Sequence, residues 1–185
     1  MLSAPAQSQS GRMTQFGPAS HNFIKAVRER DGNKMNELLA SGPPNLVNQR
    51  GLSGELALHI TIARSDAEWT GYLLFKGADP NLADKVGDTP LIVASRVGFT
   101  EAIRWLLKRG ARVDATNRMG ETALIVAVNQ RQAPVVRLLL EAGANPDVAD
   151  AAAGYTARDY AKRDNRSRQI LQLIEAKKPS SGAPR

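Results

Sequence analysis

The sequence predicts an all-α fold in which helix pairs stack into a solenoid, and three observations lead to that prediction. Similar segments recur at a nearly fixed interval of about 33 residues, opening with Gly54, Gly87, Gly120 and Gly154. Two or three consecutive leucines precede a second glycine at a constant phase, and the apolar residues between these marks follow helical spacing. One short helix pair cannot cover its own apolar face, so consecutive pairs must share a core.

The first helix of each pair has a recognisable start. The Thr89 hydroxyl can accept a backbone N–H group at the N-cap, and Pro90 fits the first helical position without the loss of a helical hydrogen bond. Thr122 and Thr156 occupy the equivalent places. Leucine and alanine follow three residues apart on one helical face, which we expect to be core.

The second helix of each pair ends at a Gly-Ala step, where a left-handed residue terminates a helix. A degenerate unit precedes the regular ones, and a polar unit follows them, with Arg158 in place of a leucine. Terminal units of a solenoid are atypical because one side must face water. We therefore predict one repeat domain at residues 22–176, with repeats at about 22–50, 51–83, 84–116, 117–150 and 151–176.

The composition at both ends predicts a flexible leader at residues 1–21 and a flexible tail at residues 177–185. The Ser-Ala-Pro-Ala-Gln segment near the start fits either a linker or the end of a signal peptide, so a cytoplasmic and a periplasmic or exported location both stay open. The sequence lacks the run of about 20 apolar residues that crosses a bilayer. We expect no membrane insertion.

Residues 87–94, Gly-Asp-Thr-Pro-Leu-Ile-Val-Ala, and residues 106–111, Leu-Leu-Lys-Arg-Gly-Ala, resemble the ankyrin repeat. The similarity extends over about residues 22–176 in consistent phase. It implies a short, bacterial-like solenoid of antiparallel helix pairs with loops that project like fingertips. It also implies recognition of another protein, in the manner of an adaptor or inhibitor. We expect a monomer.

In ankyrin-repeat proteins, partners usually contact the fingertips and the first helices on the concave side. The matching fingertip positions are Leu52, Ser53, Glu55, Lys85, Val86, Asp88, Arg118, Met119 and Glu121. The matching helix-end positions are Ala63, Arg64, Arg96, Val97, Asn129, Gln130 and Arg131. The apolar Val86 and Met119 fit either a partner-binding spot or packing between neighbouring fingertips.

Arginines gather near the end of each first helix, and stacking would align them into a row: Arg28, Arg30, Arg64, Arg96, Arg131 and Arg163. Guanidinium groups bind carboxylates and phosphates through paired hydrogen bonds. The row could bind an acidic protein segment, or it could be a solvated surface. Electrostatic binding of nucleic acid or another polyanion is the alternative function.

Charge and composition do not favour nucleic acid. The net charge is +7, but four basic residues lie in the two ends, which leaves +3 (21 basic minus 18 acidic) for the rest. Aromatic residues make up 5% of the chain and are not interleaved with the basic ones. The stacking platforms expected for single strands are therefore missing.

The sequence predicts neither catalysis nor a cofactor. It contains no cysteine and two histidines, and it lacks the glycine-rich phosphate and nucleophile motifs. His59 occupies a structural position of the family, where it links neighbouring units; Ile92 and Ile125 replace it later, so that role must be lost or replaced there. Trp69 and Trp105 are expected to pack among leucines.

Two further patterns concern the loops. Ser65, Arg131 and Asn165 occupy the place of a turn glycine that Gly98 retains. Aspartates recur near the loops, and we expect them to hydrogen-bond turns there rather than to form a catalytic pair. The residues concerned are Asp79, Asp84, Asp114, Asp147 and Asp150.

Overall fold

The computed structural model describes residues 17–176. Within them the chain forms ten α-helices and no extended strand. The helices are α1 Pro18–Glu29, α2 Gly32–Ser41, α3 Ala57–Ala63, α4 Ala67–Phe75, α5 Pro90–Val97, α6 Thr100–Lys108, α7 Ala123–Asn129, α8 Ala133–Glu141, α9 Ala157–Arg163 and α10 Arg168–Ala176. A 3-10 turn lies at Leu46–Asn48.

The helices form two layers. The odd-numbered helices α1 to α9 pack consecutively against one another, and we call them the first-helix layer. The even-numbered helices form the second-helix layer, in which α4, α6, α8 and α10 pack in the same order. Apolar side chains from both layers make one core that extends from Phe23 to Ile174. The predicted all-α solenoid of helix pairs is confirmed.

Threonine side chains start three of the first helices, as the sequence predicts. The Oγ1 atoms of Thr89, Thr122 and Thr156 accept the backbone N–H group three residues later, at 3.3, 3.2 and 3.1 Å. Each bond satisfies one of the backbone donors that a helix start leaves unpaired. The threonine therefore fixes where the projecting loop ends and the helix begins.

Polar side chains also join consecutive units. Asn48, Asn81 and Asp114 occupy the same position in three successive repeats. A side-chain oxygen of each accepts a backbone N–H group from the loop behind the second helix of the next unit, at 2.8, 2.8 and 2.9 Å. The repeated bond holds neighbouring units in one register, because the loop N–H groups find no helical partner.

The start of the repeat domain differs from the sequence prediction. Helix α1 begins at Pro18, and the buried Ser20 donates its hydroxyl to the Gly17 carbonyl at 2.9 Å, so residues 18–21 belong to a helix rather than to a flexible leader. Residues 1–16 and the predicted tail lie outside the described residues. The predicted repeat boundaries remain predictions. Among residues 17–176, each helix is too short or too polar to span a membrane.

The turn between the two helices of a pair needs a left-handed residue. Ser65, Gly98 and Arg131 adopt it, with φ of 53°, 75° and 54°. Asn165, which aligns with the same glycine, is not among the residues with positive φ. In the first pair, Arg30 adopts the left-handed conformation, with φ of 57°. The last pair therefore turns differently, through the extended residue Asp164.

Candidate functional site

Side-chain oxygens shape the projecting loops. Oδ1 of Asp84 and Oδ1 of Asn117 each accept the backbone N–H groups two and four positions later, at 2.9 to 3.0 Å. Oδ1 of Asp150 accepts three consecutive N–H groups in the last loop. Such bonds hold a tight turn in place of regular structure. The predicted role is confirmed for Asp79, Asp84 and Asp150. Asp114 instead accepts from Asn145 of the next unit, and Asp147 pairs with Arg158.

Neighbouring loops touch through their backbones at two glycines. Gly87 and Gly120 have φ of 90° and 76°. A Cβ atom on Gly87 would lie 2.7 Å from the Arg118 nitrogen, and one on Gly120 would lie 2.4 Å from the Ala151 nitrogen. The Ala151 N–H group donates to the Met119 carbonyl at 2.8 Å. Both the conformation and the close approach therefore require glycine.

Apolar side chains are exposed on three consecutive loops. Leu52, Val86 and Met119 are 61%, 51% and 55% exposed, and we call them the fingertip row. Val97, at the end of α5, is exposed as well. The carbonyls of Val86 and Met119 accept backbone N–H groups of the following loop, at 3.4 and 2.8 Å, while their side chains stay exposed. Exposed apolar residues on consecutive loops are candidates for an interaction site.

Asp88 is a correction to the predicted site. Its side chain is 4% exposed and therefore does not face a partner. Burial opposes ionisation, but hydrogen bonds from Arg96 and from Asn117 Nδ2 outweigh it and lower the pKa of the carboxyl group. Since Asn117 belongs to the next loop, Asp88 ties a fingertip, a helix end and the neighbouring unit together. Asn117 is missed by the sequence analysis. The only signal that could have identified it is that it occupies the same repeat position as Asp84 and Asp150.

His59 performs the predicted link between units. Its Nε2 atom lies 2.9 Å from the Asp88 backbone oxygen, and since a carbonyl can only accept, Nε2 must donate. Burial lowers the pKa of His59 despite this bond. Ile92 and Ile125 fill the later equivalent positions as fully buried apolar residues. Hydrogen bonding there is replaced by packing.

The other predicted contact residues lie near the surface. Glu121 is half-buried and accepts from Asn117 Nδ2 at 2.9 Å. The exposed ones, besides Val86, Val97 and Met119, are Arg64, Lys85, Arg96, Arg118, Asn129, Gln130 and Arg131. A groove of about 370 Å³ between α7 and α9 brings Asn129 and Arg131 together with Tyr160.

The predicted arginine row is occupied by contacts within the chain. Four members form ion pairs: Arg28 with Glu55 (3.3 Å), Arg30 with Asp66 (3.0 Å), Arg96 with Asp88 (2.5 Å) and Arg131 with Asp164 (2.6 Å). Arg64 donates to the Arg28 carbonyl at 2.9 Å, and the Arg163 guanidinium lies 4.6 Å from the Tyr155 ring centre. The row is therefore not a groove of free cations.

Acidic side chains of the last unit respond to these contacts. The hydrogen bond from Arg131 lowers the pKa of Asp164 to about 2. Tyr160 donates its hydroxyl to Asp150 Oδ2 at 2.6 Å, which raises the pKa of Tyr160 to about 12 and lowers that of Asp150. Both carboxylates are therefore ionised at neutral pH and hold the last unit against its neighbour.

The two stacked layers and the repeated loops define a helical-repeat protein that presents a continuous loop surface. A family model described as ankyrin repeats, in three copies, matches residues 23–116 and residues 58–150. The matches span more than half of the 185 residues, and the chain belongs to the ankyrin-repeat family. Ankyrin repeats mediate protein–protein interaction and are typically non-enzymatic. The last helix pair lies beyond the match, so the predicted count of five repeats stays a prediction.

Proposed function

We propose that this protein is a non-enzymatic interaction scaffold, of the adaptor or inhibitor type, that binds one protein partner across its fingertips and first-helix ends. The exposure of Leu52, Val86 and Met119 on three consecutive loops carries this proposal. The proposed contact set comprises the fingertip row with Lys85, Arg118, Glu121, Arg64, Arg96, Val97, Asn129, Gln130 and Arg131.

The loops are organised before any partner binds. Their turns are held by Asp84, Asn117 and Asp150, and adjoining loops bond through backbone groups. A surface that is already ordered loses little conformational entropy on binding. The apolar area that the fingertip row buries on binding therefore contributes to affinity with little opposing cost from ordering the loops.

Charged side chains surround the apolar centre. Lys85 and Arg118 are exposed beside Val86 and Met119, and neither basic side chain forms an ion pair within the described residues. Protein interfaces commonly combine an apolar centre with a polar rim. The fitting partner is a protein with an apolar patch flanked by carboxylates.

The test is affinity capture with the full chain and with the double variant Val86→Asp, Met119→Asp. We expect the variant to lose the partner, because each new carboxylate would be buried unpaired in the interface. Ala40→Asp is the control, since Ala40 is an exposed apolar residue of α2 in the second-helix layer. Each captured protein is then purified and titrated calorimetrically against all three chains.

A partner of the proposed face binds wild type and the Ala40 variant with equal affinity, and binds the double variant more weakly by about tenfold or more. Equal binding to wild type and the double variant would contradict the proposal. Circular dichroism of each variant establishes that the helices are intact.

A further inference from the structure

Two arginines of the second-helix layer have no partner within the described residues. Arg104 of α6 and Arg137 of α8 occupy equivalent positions in consecutive units, and both are exposed. Neither side chain forms an ion pair or a hydrogen bond in residues 17–176. They contrast with the arginine row, whose members are all engaged.

The two guanidinium groups line the same groove. This groove has a volume of about 500 Å³ and lies between α6, α8 and α10. Arg104 and Arg137 share it with the half-buried Leu138 and with one carboxylate, Glu141. Glu141 forms an ion pair with neither arginine, so the groove keeps an excess of positive charge.

The other side of α6 combines apolar surface with further cations. A groove of about 270 Å³ is lined by Leu74, Trp105, Lys108 and Arg109. Trp105 is half-buried, Lys108 is exposed and forms no ion pair with a described residue, and Arg109 donates to the Leu74 carbonyl at 2.7 Å. Phe75, next to Leu74 at the end of α4, is 73% exposed.

The local sequence concentrates this charge. Arg104, Lys108, Arg109 and Arg112 occur without any acidic residue between Glu101 and Asp114. Glu101 lies at the start of α6, where its carboxylate accepts from the Thr100 hydroxyl at 3.2 Å instead of neutralising a base. Residues 101–114 therefore carry four basic and two acidic side chains, a net charge of +2.

We infer that α6 forms a second protein-binding site, whose ligand is an acidic peptide segment that carries an apolar side chain. We call the site the α6 patch and define it by Phe75, Arg104, Trp105, Lys108 and Arg137. Carboxylates of the segment pair with the two guanidinium groups, which present paired donors. The apolar side chain packs on Trp105 and Phe75. The site lies on the second-helix layer, away from the proposed fingertip surface, and is independent of it.

The pattern fits a peptide better than a nucleic acid. The position of Lys108 on α6 is occupied by Glu141 on α8, which interrupts the line of cations after one unit. A phosphate backbone requires cations along its length, and single strands require successive stacking aromatics. A short acidic segment needs only the two arginines and one apolar contact.

The probe is a fluorescein-labelled short peptide of aspartate, glutamate and leucine, titrated with the full chain and followed by fluorescence anisotropy. We expect binding that weakens as salt is added. Arg104→Glu together with Arg137→Glu weakens binding by about tenfold or more, because two attractions become repulsions. Lys162→Glu together with Arg166→Glu changes the net charge equally at two exposed bases of the last unit, which belong to neither proposed site, and leaves the affinity within about twofold.

Tryptophan fluorescence locates the bound peptide. The chain has two tryptophans, and Trp69 is buried in the core. In a Trp69→Phe variant, the emission of Trp105 changes on peptide binding if the peptide covers α6. A replacement of Trp105 by phenylalanine removes that change and serves as the control.

The inference is overturned if wild type does not bind the peptide, if both charge-reversal pairs weaken it equally, or if Trp105 emission stays constant at saturation. Tighter binding of a DNA oligonucleotide than of the peptide would also overturn it, in favour of a nucleic-acid surface. Loss of the fingertip partner in the Val86 and Met119 variant, with unchanged peptide affinity, separates the two sites. If instead that partner binds the variant unchanged, the proposed function fails alone.

Discussion

The two helix layers use arginine differently. In the first-helix layer, Arg30, Arg96 and Arg131 each contact a carboxylate, two of them in a neighbouring unit. In the second-helix layer, Arg104 and Arg137 contact none within the described residues. Asp66, Asp88 and Asp164 lie within reach of the first-helix arginines. Glu101 and Glu141, the acidic residues of α6 and α8, form no ion pair with Arg104 or Arg137. Within residues 17–176, unpaired positive charge therefore lies on the second-helix layer, at Arg104 and Arg137, and not in the arginine row that the sequence pattern indicates.

The largest expected effect of this difference is on stability. Replacing Arg96 by alanine leaves the Asp88 carboxylate, whose side chain is 4% exposed, without its cation. We expect the free energy of unfolding to fall by about 2 kcal/mol, less than for a fully buried pair because Arg96 itself is 42% exposed. Urea denaturation measures the change.

Arg104→Ala is the matched control, one turn into the second helix of the same unit. It removes an exposed cation without a partner among the described residues, so we expect a change within about 0.5 kcal/mol. Equal losses in the two variants would show that the arginines of both layers are energetically alike, and the comparison would fail.

The period of the sequence predicts the fold because the interactions that start and end each helix are local in the chain. Helix starts at Thr89 and Thr122, helix stops at Gly-Ala steps, and a shared apolar face all depend on residues close together in the chain. Exposure of Val86 and Met119 is predictable for the same reason, since a tight loop leaves its tip without neighbours. The repeat therefore specifies helices, loops and fingertips.

The ionic partners are not predictable in that way. Asp164 is 33 residues from Arg131, and which carboxylate a long side chain reaches depends on the packed position of the next unit. Asp88 stands in a fingertip by sequence, yet Arg96 and Asn117 enclose it. Asn165 aligns with a turn glycine, but the polar last unit turns differently. The repeat period alone therefore does not distinguish a residue that contacts a partner from one, such as Asp88, that holds neighbouring units together.

A smaller effect is expected from acid. The pKa of Asp164 is held at about 2 by Arg131, below the ordinary value of 3.8. A lowered folded-state pKa contributes stability that is present above the ordinary pKa and disappears as the pH falls through the folded-state value. We expect Asp164→Asn to lower stability near neutral pH, and the difference from wild type to shrink as the pH falls from the ordinary pKa towards the lowered one.

Thermal unfolding followed by circular dichroism at pH 6, 4 and 3 measures that difference. Glu141→Gln is the control from the second-helix layer, because Glu141 forms no ion pair with a described residue. Because no ion pair is lost, its difference from wild type at pH 6 should be smaller than that of Asp164→Asn. A pH-dependent difference for Glu141 as large as that for Asp164 would remove the distinction between the layers.

The smallest expected effect is on the left-handed turns, where two glycine substitutions separate the contribution of an ion pair from that of backbone strain. Ser65 and Arg131 both adopt left-handed turns, with φ of 53° and 54°. Glycine adopts this conformation without steric cost, whereas another residue is strained there. Ser65→Gly should therefore raise the free energy of unfolding by about 0.5–1 kcal/mol.

Arg131→Gly gains the same relief of strain but loses the contact with Asp164, so its net gain in stability should be smaller than that of Ser65→Gly. The contact lies at the surface, where solvent weakens an ion pair, and the expected difference is correspondingly small. Urea denaturation of the two variants measures the difference, which is the contribution of the ion pair. If both variants are stabilised equally, that pair contributes nothing, and the energetic difference between the layers rests on the other ion pairs, such as Arg96–Asp88 and Arg30–Asp66.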